Sequence, residues 1–407
     1  MCADVAFIPV DRPGHEGSGS VRTSSLLIEH LSKFHDLSVY VFSTSEVDYS
    51  KFPATERVDY KIECGIPKYP EPKSTVIQAI RSEIPNLEEH DLVHSYGTNG
   101  VVGLSELSTP SIVTLNAYGP VCPKNDLMWH GKKKCAGSST VKCTECALTS
   151  TVSERGFSMR LLKDTYKRIY RINVVKRMKR NLDRINQYHA LSPHIKTDFS
   201  THGVDSEKIT VIPHFYDERF ATPLNNNELE KGIELLYVGS VKKQKGVQIL
   251  VEAMSQIVNS IPNIRLRVVG NGPYLDTVQH RARELGVDQH IVWEGHIEHP
   301  NLPEVYENAD IFVYPGLWDE PFGRVLLEAL ASKTPIVGSD VGSVDYIIGD
   351  AGITFEAGNP SSLATAIRDL VNSYDERAST IDEQLNNFER ENVLDEFNTL
   401  YERILPE

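Results

Sequence analysis

The sequence contains no long apolar run, and it is poor in cysteine and in positive charge. No stretch approaches the roughly 18 consecutive apolar residues that a spanning helix needs, and the start, MCADVAFIPVDRP, has no basic segment followed by an apolar one. We therefore expect neither a membrane-spanning helix nor a secretory signal. Six cysteines in 407 residues predict thiols or metal ligands in a reducing compartment, so the expected location is the cytoplasm.

The charge balance is acidic. Against 56 Asp and Glu residues there are 42 Lys and Arg residues, which gives a formal net charge of -14 and a pI near 5.5. A surface that neutralises a phosphate backbone needs the opposite balance, so we expect no nucleic-acid partner. The length exceeds what one hydrophobic core usually supports, and two domains are expected.

Short Val/Ile/Leu-rich runs alternate with segments whose apolar residues recur at intervals of three and four. This alternation predicts buried parallel strands, each followed by a helix, and hence an α/β protein with one doubly wound sheet in each half. The predicted strands are Val5–Val10, Leu37–Phe42, Leu92–His94, Ser111–Leu115 and Tyr188–Leu191 in the first half, and Leu235–Val238, Ile264–Val269, Ile291–Trp293, Ile311–Tyr314 and Pro335–Val337 in the second.

A polar segment from His214 to Gly232 separates the two series of strands, and we interpret it as the interdomain linker. The predicted N-terminal domain is then residues 1–213 and the C-terminal domain residues 233–390. The last segment, residues 391–407, has an apolar stripe at helical spacing. Such a stripe needs a partner face, and we expect this helix to pack back on the N-terminal domain.

Glycine-rich loops follow several predicted strands, where open α/β sheets bind ligands. Gly17 and Gly19 lead into a helix predicted from about Ser20, and Gly270 stands in the run GNGP; a structural turn explains either loop equally well. The loop GSVKKQKG, residues 239–246, carries three lysines just before a helix. Lysines at a helix N-terminus suit a diphosphate, and a solvated lysine run is the alternative.

The stretch WDEPFGRVLLEALA follows the predicted strand IFVYP. A helix is expected from about Phe322 to Ala331, with Glu320 in the loop before it and Glu328 less than two turns in. Carboxylates on both sides of a helix N-terminus accept hydroxyl hydrogen bonds while its amides receive phosphate oxygens, which fits a sugar joined to a diphosphate. Glutamates eight residues apart also occur on ordinary solvated helix faces.

The stretch EPFGRVLLEALASKTPIVGSDVGSVDYI resembles the signature of glycosyltransferase family 4, whose members are retaining enzymes of the GT-B fold. Further similar motifs follow in the family's order: GSVKKQKGVQILVEA, VVGNGP, IVWEGHI and YENADIFVYP. With DLVHSYG and ITVIPHFYDERF, the resemblance covers nearly the whole chain. It implies two Rossmann-like domains facing a cleft, and transfer of a sugar from a nucleotide diphosphate sugar to a sugar, lipid-linked or small-molecule acceptor.

The resemblance also implies roles for individual residues. Glu320 corresponds to the family's catalytic glutamate that contacts the donor sugar, Glu328 to the one that contacts ribose, and Lys245 to the diphosphate lysine. The remaining implied donor-binding residues are Gly17, Gly19, Ser240, Gly270, Phe322, Gly323 and Arg324, of which the last three act through backbone amides.

Two positions depart from the family pattern. Ser240 stands where relatives usually carry a diphosphate-binding arginine, so charge neutralisation falls on Lys245 with Lys242 or Lys243. Asn116 stands where relatives commonly carry an active-site histidine. The implied mechanism needs no nucleophilic side chain, because the acceptor attacks the face from which the nucleotide leaves. No two aspartates stand two residues apart, so we expect catalysis without a metal or other cofactor.

Four cysteines lie close together in the loop from Tyr118 to Cys146: Cys122, Cys135, Cys143 and Cys146. The final C-x-x-C has the spacing of a zinc knuckle, and four ligands within 25 residues predict a structural zinc site. Free thiols are the main alternative, followed by disulfides.

Residues 155–184 carry eleven Lys or Arg against Asp164 and Asp183, an excess of nine positive charges in an acidic protein. Apolar residues are interleaved, so this segment predicts an amphipathic helix on the anionic inner face of a membrane. A core-packed helix with a solvated basic face is the alternative.

Two other functions fit the same fold. One is a nucleotide-sugar 2-epimerase, which needs no acceptor, and the other is a non-catalytic protein that binds a sugar nucleotide. The donor base, the donor sugar and the acceptor are not encoded in a pattern that we can interpret.

Overall fold

The computed structural model describes residues 2–14, 19–53, 55–68, 71–130, 133–155, 159–221, 232–261 and 263–405. The chain divides into two compact units. The first comprises Met1–Pro213 and Val393–Glu407, and the second comprises His214–Asn392. Each unit is described separately below.

The first unit is built on a seven-stranded parallel sheet in the order β3-β2-β1-β4-β5-β8-β9, with a separate two-stranded antiparallel hairpin, β6-β7. Its strands are β1 Asp4–Ile8, β2 Asp36–Phe42, β3 Val58–Glu63, β4 Leu92–Ser95, β5 Ser111–Leu115, β6 Met128–Trp129, β7 Lys133–Lys134, β8 Gln187–Ala190 and β9 Ile209–Val211. Its helices are α1 Gly19–Leu31, α2 Pro72–Ser82, α3 Ile84–Leu87, α4 Gly100–Gly103, α5 Thr140–Arg155, α6 Met159–Lys179 and α7 Pro193–Thr201, completed by the last helix of the chain, α16 Arg390–Ile404.

The second unit contains a six-stranded parallel sheet in the order β12-β11-β10-β13-β14-β15. Its strands are β10 Ile233–Val238, β11 Ile264–Val269, β12 Ile291–Gly295, β13 Ile311–Tyr314, β14 Ile336–Ser339 and β15 Gly352–Phe355. Its helices are α8 Val247–Ile257, α9 Leu275–Glu284, α10 Leu302–Glu307, α11 Arg324–Ala331, α12 Val344–Ile348, α13 Pro360–Asn372, α14 Tyr374–Ser379 and α15 Ile381–Asn386.

The prediction of one parallel α/β sheet in each half is confirmed. Each predicted strand coincides with an observed one to within a few residues at its ends. The pattern missed three strands of the two sheets. In β3 every second residue is exposed, and β9 and β15 have only three and four residues, so none of them forms the apolar run by which buried strands were recognised.

Residues 214–221, placed in the linker by sequence, pack within the second unit. The ring of His214 lies 4.6 Å from that of Phe322, and Phe220 is fully buried against Tyr306. Residues 222–231, the greater part of the predicted linker, lie outside the described residues.

A buried chain of hydrogen bonds ties α16 to the sheet of the first unit. The Tyr401 hydroxyl lies 2.7 Å from His94 Nδ1, His94 Nε2 lies 2.9 Å from Thr114 Oγ1, and this oxygen lies 2.9 Å from His189 Nδ1. His189 Nε2 is 2.7 Å from the carbonyl oxygen of Ile212. Because that carbonyl can only accept, His189 donates to it from Nε2. Burial keeps both imidazoles neutral, so each group in turn donates toward Ile212. All four side chains are fully buried, so these hydrogen bonds are shielded from water.

We expect this chain of hydrogen bonds to make the first unit sensitive to acid. Burial lowers the pKa of His189 to about 4 and holds the pKa of His94 well below its usual value. Between about pH 6.5 and 4 the unfolded chain therefore binds protons that the folded chain does not, and stability falls as the pH falls. His189 alone accounts for about 1.4 kcal/mol per pH unit in this window.

Urea unfolding at several pH values, followed by hydrogen exchange of β4, β5 and β8, measures this slope. The His189→Gln variant should have a smaller slope, by up to about 1.4 kcal/mol per pH unit. The His280→Gln variant, which alters an exposed histidine, should keep the wild-type slope. Equal slopes in wild type and His189→Gln would show that His189 does not exclude the proton.

The described part of the basic segment is helical: Arg155 ends α5, and most of the remaining residues form α6. Where side chains are described, Ile172, Val175 and Met178 are buried in the first unit. Arg171 donates to Glu71 Oε1 at 2.8 Å, and this carboxylate is itself fully buried. The C-terminal part of α6 thus packs on the core, as the alternative interpretation held, and the membrane contact of its exposed basic residues stays a prediction.

Candidate active site

The lysine loop follows β10 and is attached to the loop that follows the neighbouring strand, β13. A short 3₁₀ turn, Lys243–Lys245, ends at Gly246, whose φ is 77°. A Cβ on this glycine would lie 1.6 Å from the carbonyl oxygen of Pro315, so no other residue fits. The Leu317 amide also donates to the Gln244 carbonyl at 2.9 Å. Paired strands with adjacent carboxyl ends therefore bring Lys245 to the loop that carries Glu320.

Lys245 and Glu320 form an ion pair. Lys245 Nζ lies 2.5 Å from Glu320 Oε2, and the Tyr314 hydroxyl donates to the same oxygen at 2.7 Å. The ammonium lies 5.5 Å from the centre of the Trp318 ring. Burial and the charge of Glu320 raise the pKa of Tyr314 well above its usual value, so this hydroxyl remains a donor. Both charged side chains are partly accessible, at 24% and 19%, which leaves them able to meet a ligand.

The loop after β14 fixes the backbone of Glu320. The amide of Gly342 donates to Asp319 Oδ1 at 3.0 Å, and the Ser343 hydroxyl donates to the Pro321 carbonyl at 2.7 Å. Gly342 has a φ of 58°, and a Cβ there would lie 2.6 Å from the Glu320 carbonyl oxygen. Three neighbouring strands thus contribute to the position of one carboxylate.

Glu328 lies on α11 and is buried, at 5% exposure. Tyr306 donates its hydroxyl to Oε2 at 3.0 Å, and His299 Nε2 lies 3.3 Å from Oε1. The other nitrogen of His299, Nδ1, lies 3.3 Å from a guanidinium nitrogen of Arg219, which can only donate. His299 must therefore carry its proton on Nε2 and donate to Glu328. Both carboxylate oxygens are held, and each has further lone pairs for a ligand hydroxyl.

The helix that was expected from about Phe322 begins at Arg324. The prediction is early because Gly323, at φ 92°, is in the left-handed region and forms the N-cap. Phe322 is buried, with its ring packed on those of His214 and Phe388. Among the described residues, no protein acceptor is recorded for the amides of Phe322 and Gly323, which precede the helix.

The other residues predicted to bind the donor lie on several loops and at one helix start. Ser240 follows β10 and accepts the Tyr237 hydroxyl on its carbonyl at 3.1 Å. Gly270 follows β11, and a Cβ there would lie 1.9 Å from the Gly239 carbonyl oxygen, so close packing of two loops already requires glycine. Gly19 is the first residue of α1, and Gly17 lies outside the described residues.

A second polar group lies in the first unit, where β4 and β5 end. A Cβ on Gly119 would lie 2.9 Å from Lys73 Nζ, 3.2 Å from Thr98 Oγ1 and 3.3 Å from Asn125 Oδ1, so these three groups surround the glycine. Burial lowers the pKa of Lys73 to about 8. The Asn125 oxygen is buried without a hydrogen-bond partner in the described part of the chain. Asn116 lies at the end of β5 and donates to the Tyr96 carbonyl at 3.1 Å.

Sequence reasoning found both glutamates and Lys245 but not the residues that hold them. Tyr314 ends the strand that precedes the Glu320 loop, and a polar aromatic residue at a strand's carboxyl end is a usable signal for a site. Tyr306 and His299 lie more than 20 residues before Glu328. No local spacing connects them to it, because their contact depends on how α10 packs against α11.

Comparison with known families matches both units. The model of Glycosyltransferase Family 4 matches residues 17–220, about half of the chain, and that of Glycosyl transferases group 1 matches residues 219–386. The chain belongs to glycosyltransferase family 4. The resemblance inferred from the Glu320 to Glu328 motif is thereby confirmed.

Curated relatives of this family 4 member match over part of their length. An uncharacterized glycosyltransferase of Methanocaldococcus jannaschii is 36% identical over 33% of this chain and 34% of its own. A GDP-mannose-dependent alpha-(1-6)-phosphatidylinositol monomannoside mannosyltransferase of Mycolicibacterium smegmatis is 34% identical over 31% and 36%. The chain thus spans about a third of the length of these relatives.

Solved structures match the whole chain in fold. Sucrose-phosphate synthase from Thermosynechococcus elongatus superposes with a TM-score of 0.72 at 19% identity, covering 98% of both chains. Anabaena HepE in complex with UDP gives a TM-score of 0.67 at 16% identity, covering 98% of this chain and 100% of that one. These likenesses show the GT-B fold of the family 4 member.

Proposed function

We propose that this family 4 member transfers a sugar from a nucleoside diphosphate sugar to an acceptor hydroxyl, with retention at the anomeric carbon. The observation that carries the proposal is the Lys245–Glu320 pair with Tyr314, at the carboxyl ends of neighbouring strands and beside the start of α11. Nucleotide-sugar donors are supported by relatives, since one is named as GDP-mannose-dependent and one neighbour is a complex with UDP.

In this proposal the bond between the anomeric carbon and a diphosphate oxygen breaks while the bond to the acceptor oxygen forms. The acceptor proton passes to the departing diphosphate. Lys245 offsets the charge that develops on the diphosphate, and Glu320 accepts hydrogen bonds from the donor sugar. Their mutual ion pair keeps both charges compensated until a donor separates them. Phe322 and Gly323 offer backbone amides to sugar or phosphate oxygens.

For the acceptor we propose a lipid-linked or other anionic hydroxyl compound. The Lys73 ammonium and the unpartnered oxygen of Asn125 would bind an anionic group and a hydroxyl, respectively, in the first unit. Relatives whose names include phosphatidylinositol monomannoside and D-inositol 3-phosphate support acceptors of this chemistry.

The function is tested by incubating the protein with UDP- and GDP-sugars, with and without lipid-linked and phosphorylated polyol acceptors. We expect acceptor-dependent release of nucleoside diphosphate and a product whose anomeric configuration, assigned by proton NMR, matches the donor. Inversion would contradict retention. Conversion of the donor without any acceptor would indicate the 2-epimerase, and binding without turnover would indicate a non-catalytic protein.

We expect Glu328→Gln to weaken nucleotide binding more than it lowers kcat. Glu328 would accept ribose hydroxyls, and losing a hydrogen bond to a charged group costs about 1.5–3 kcal/mol, or roughly a 10- to 150-fold rise in Kd. Calorimetric titration with UDP and GDP measures it, with the exposed Glu304→Gln as the control. Unchanged Kd values for both nucleotides would contradict the ribose assignment.

We also propose that the exposed basic face of α6 holds the protein peripherally on the anionic inner face of a membrane, in the cytoplasm. Among the described residues no helix has both the length and the apolar character that crossing a bilayer requires. Lys176 and Arg177 are exposed on α6, and Arg180 is exposed directly after it, whereas Arg171 is engaged by Glu71 and Lys134 by Asp198.

We therefore expect binding to anionic vesicles that weakens with salt. Each basic residue near such a surface contributes about 1 kcal/mol, so changing Lys176, Arg177 and Arg180 to Gln should reduce vesicle affinity by roughly 100-fold. Sedimentation with phosphatidylserine and neutral vesicles measures it. The control changes three exposed basic residues elsewhere, Lys68, Arg265 and Arg283, for the same net charge. If both triple variants bind equally, the basic face of α6 is an ordinary solvated surface.

A further inference from the structure

The four cysteines of the loop from Tyr118 to Cys146 line one cavity in the first unit. This cavity has a volume of about 20 Å³, and Leu127, Met128, Trp129, Lys124 and Lys142 complete its wall. All six cysteines of the chain are described, and none forms a disulfide. The other two, Cys2 and Cys64, are exposed. The proposed transfer reaction uses none of these thiols.

Three elements bring the four sulfur atoms to the cavity. Cys143 and Cys146 lie three residues apart on α5, so their side chains share one face of the helix. The hairpin β6-β7 returns the chain to Leu127, whose carbonyl accepts the Cys135 amide at 2.6 Å. Cys122 begins the turn before this hairpin, and its carbonyl accepts the Asn125 amide at 3.0 Å.

The backbone of this loop is strained. Asn125, Leu127 and His130 all have positive φ values, 69°, 50° and 52°. Left-handed conformations are uncommon outside glycine and unfavourable for a side chain such as leucine. Such strain persists where other interactions determine the chain path, and it clusters at ligand sites.

A backbone amide and lysine side chains lie near the sulfur atoms. The His130 amide donates to Cys146 Sγ at 3.4 Å, a bond that strengthens when sulfur carries charge. Lys142 lines the cavity, with its ammonium 5.0 Å from the centre of the Trp129 ring, and Lys124 lines it too. A divalent ion with four thiolates would carry a net charge of −2. Lys124 pairs with Asp126 at 3.2 Å, so of these two lysines it is Lys142 that would offset part of this charge.

We propose that Cys122, Cys135, Cys143 and Cys146 bind one Zn²⁺ ion as a structural site. The ion would replace four thiol protons, which pass to solvent, and form four Zn–S bonds of about 2.3 Å. Among the described residues no three of these sulfur atoms lie within 4.8 Å of one another, so binding requires rotation of the side chains toward the centre.

The site is tested on the full chain, purified without chelators after growth with zinc. Elemental analysis should find one zinc per chain, and cobalt substitution should give the visible absorption of a tetrahedral thiolate site. The double variant Cys143→Ser, Cys146→Ser should lose the metal, and the matched double variant Cys2→Ser, Cys64→Ser should retain it.

If the cysteine variants fail to fold, a measurement on the wild-type protein still tests the proposal. Removal of zinc by a strong chelator should lower Tm, and adding zinc back should restore it, whether or not transfer activity is detected. The proposal is overturned if the wild type takes up neither zinc nor cobalt, if the Cys143, Cys146 variant keeps the metal, or if mass spectrometry finds a disulfide between these two cysteines. An iron–sulfur chromophore would overturn it as well.

Discussion

Replacing Glu320 with glutamine should lower kcat/KM for the donor by two to three orders of magnitude while leaving the fold intact. The carboxylate accepts two hydrogen bonds in the structure, from Lys245 and from Tyr314, and would accept sugar hydroxyls in the proposed reaction. Loss of one such preorganised charged group costs about 3–4 kcal/mol of transition-state stabilisation. Turnover of the nucleotide sugar, with circular dichroism as a check on folding, measures the effect.

Glu304→Gln is the control, because it removes one negative charge from an exposed position of the same unit. Wild-type kinetics in Glu320→Gln would remove this residue from the site. A rise in KM with an unchanged kcat would instead show that Glu320 binds the donor equally in the ground state and the transition state.

Replacing Lys245 with methionine should cost about 2–4 kcal/mol of transition-state stabilisation, a loss of roughly 30- to 1,000-fold in kcat/KM. Its ammonium is the group that would offset charge on the departing diphosphate, since Ser240 occupies the position of the usual arginine. Methionine retains most of the stem that packs near Trp318. Arg265→Met removes one positive charge from an exposed position on β11 and serves as the control.

The ion pair between Lys245 and Glu320 allows a further test with the double variant. Because Lys245 and Glu320 contact each other, the double variant should lose less than the sum of the two single losses, by about 0.5–3 kcal/mol. Full additivity would place the two residues in separate roles. Activity that disappears in EDTA and returns specifically with Mg²⁺ or Mn²⁺ would contradict charge compensation by lysine; zinc content is measured alongside to exclude loss of the proposed structural site.

The fold could be predicted from sequence wherever strands are buried on both faces. β5 and β13 are buried along their whole length, and their predicted bounds are those observed. β3 lies at an edge and alternates, so its pattern was that of a half-exposed segment. For the basic segment, charge counts did not show that Ile172, Val175 and Met178 pack in the core, and the membrane contact stays a prediction.

The site could be predicted where its residues belong to short, recognisable sequence motifs. Glu320 and Glu328 are eight residues apart on either side of one helix start. Lys245 lies in a loop that is recognisable by its three lysines and its flanking glycines. Their partners depend on tertiary packing. His299 and Tyr306 contact Glu328 from the segment that leads into and forms α10, and Arg219 contacts His299. Gly342 contacts the backbone of Glu320 from the loop after β14.

The hydrogen-bond chain from Tyr401 to Ile212 has a consequence for biosynthesis. A ribosome releases β1 to β9 long before Tyr401, so His94 lacks its buried donor until α16 has emerged after the second unit. The second unit is continuous in sequence and is complete once Asn392 has emerged. Domains generally fold in order from the N-terminus during synthesis. Here the order of completion is reversed: once the chain has emerged as far as Asn392, the second unit has all of its residues, while the first unit still lacks most of its closing helix.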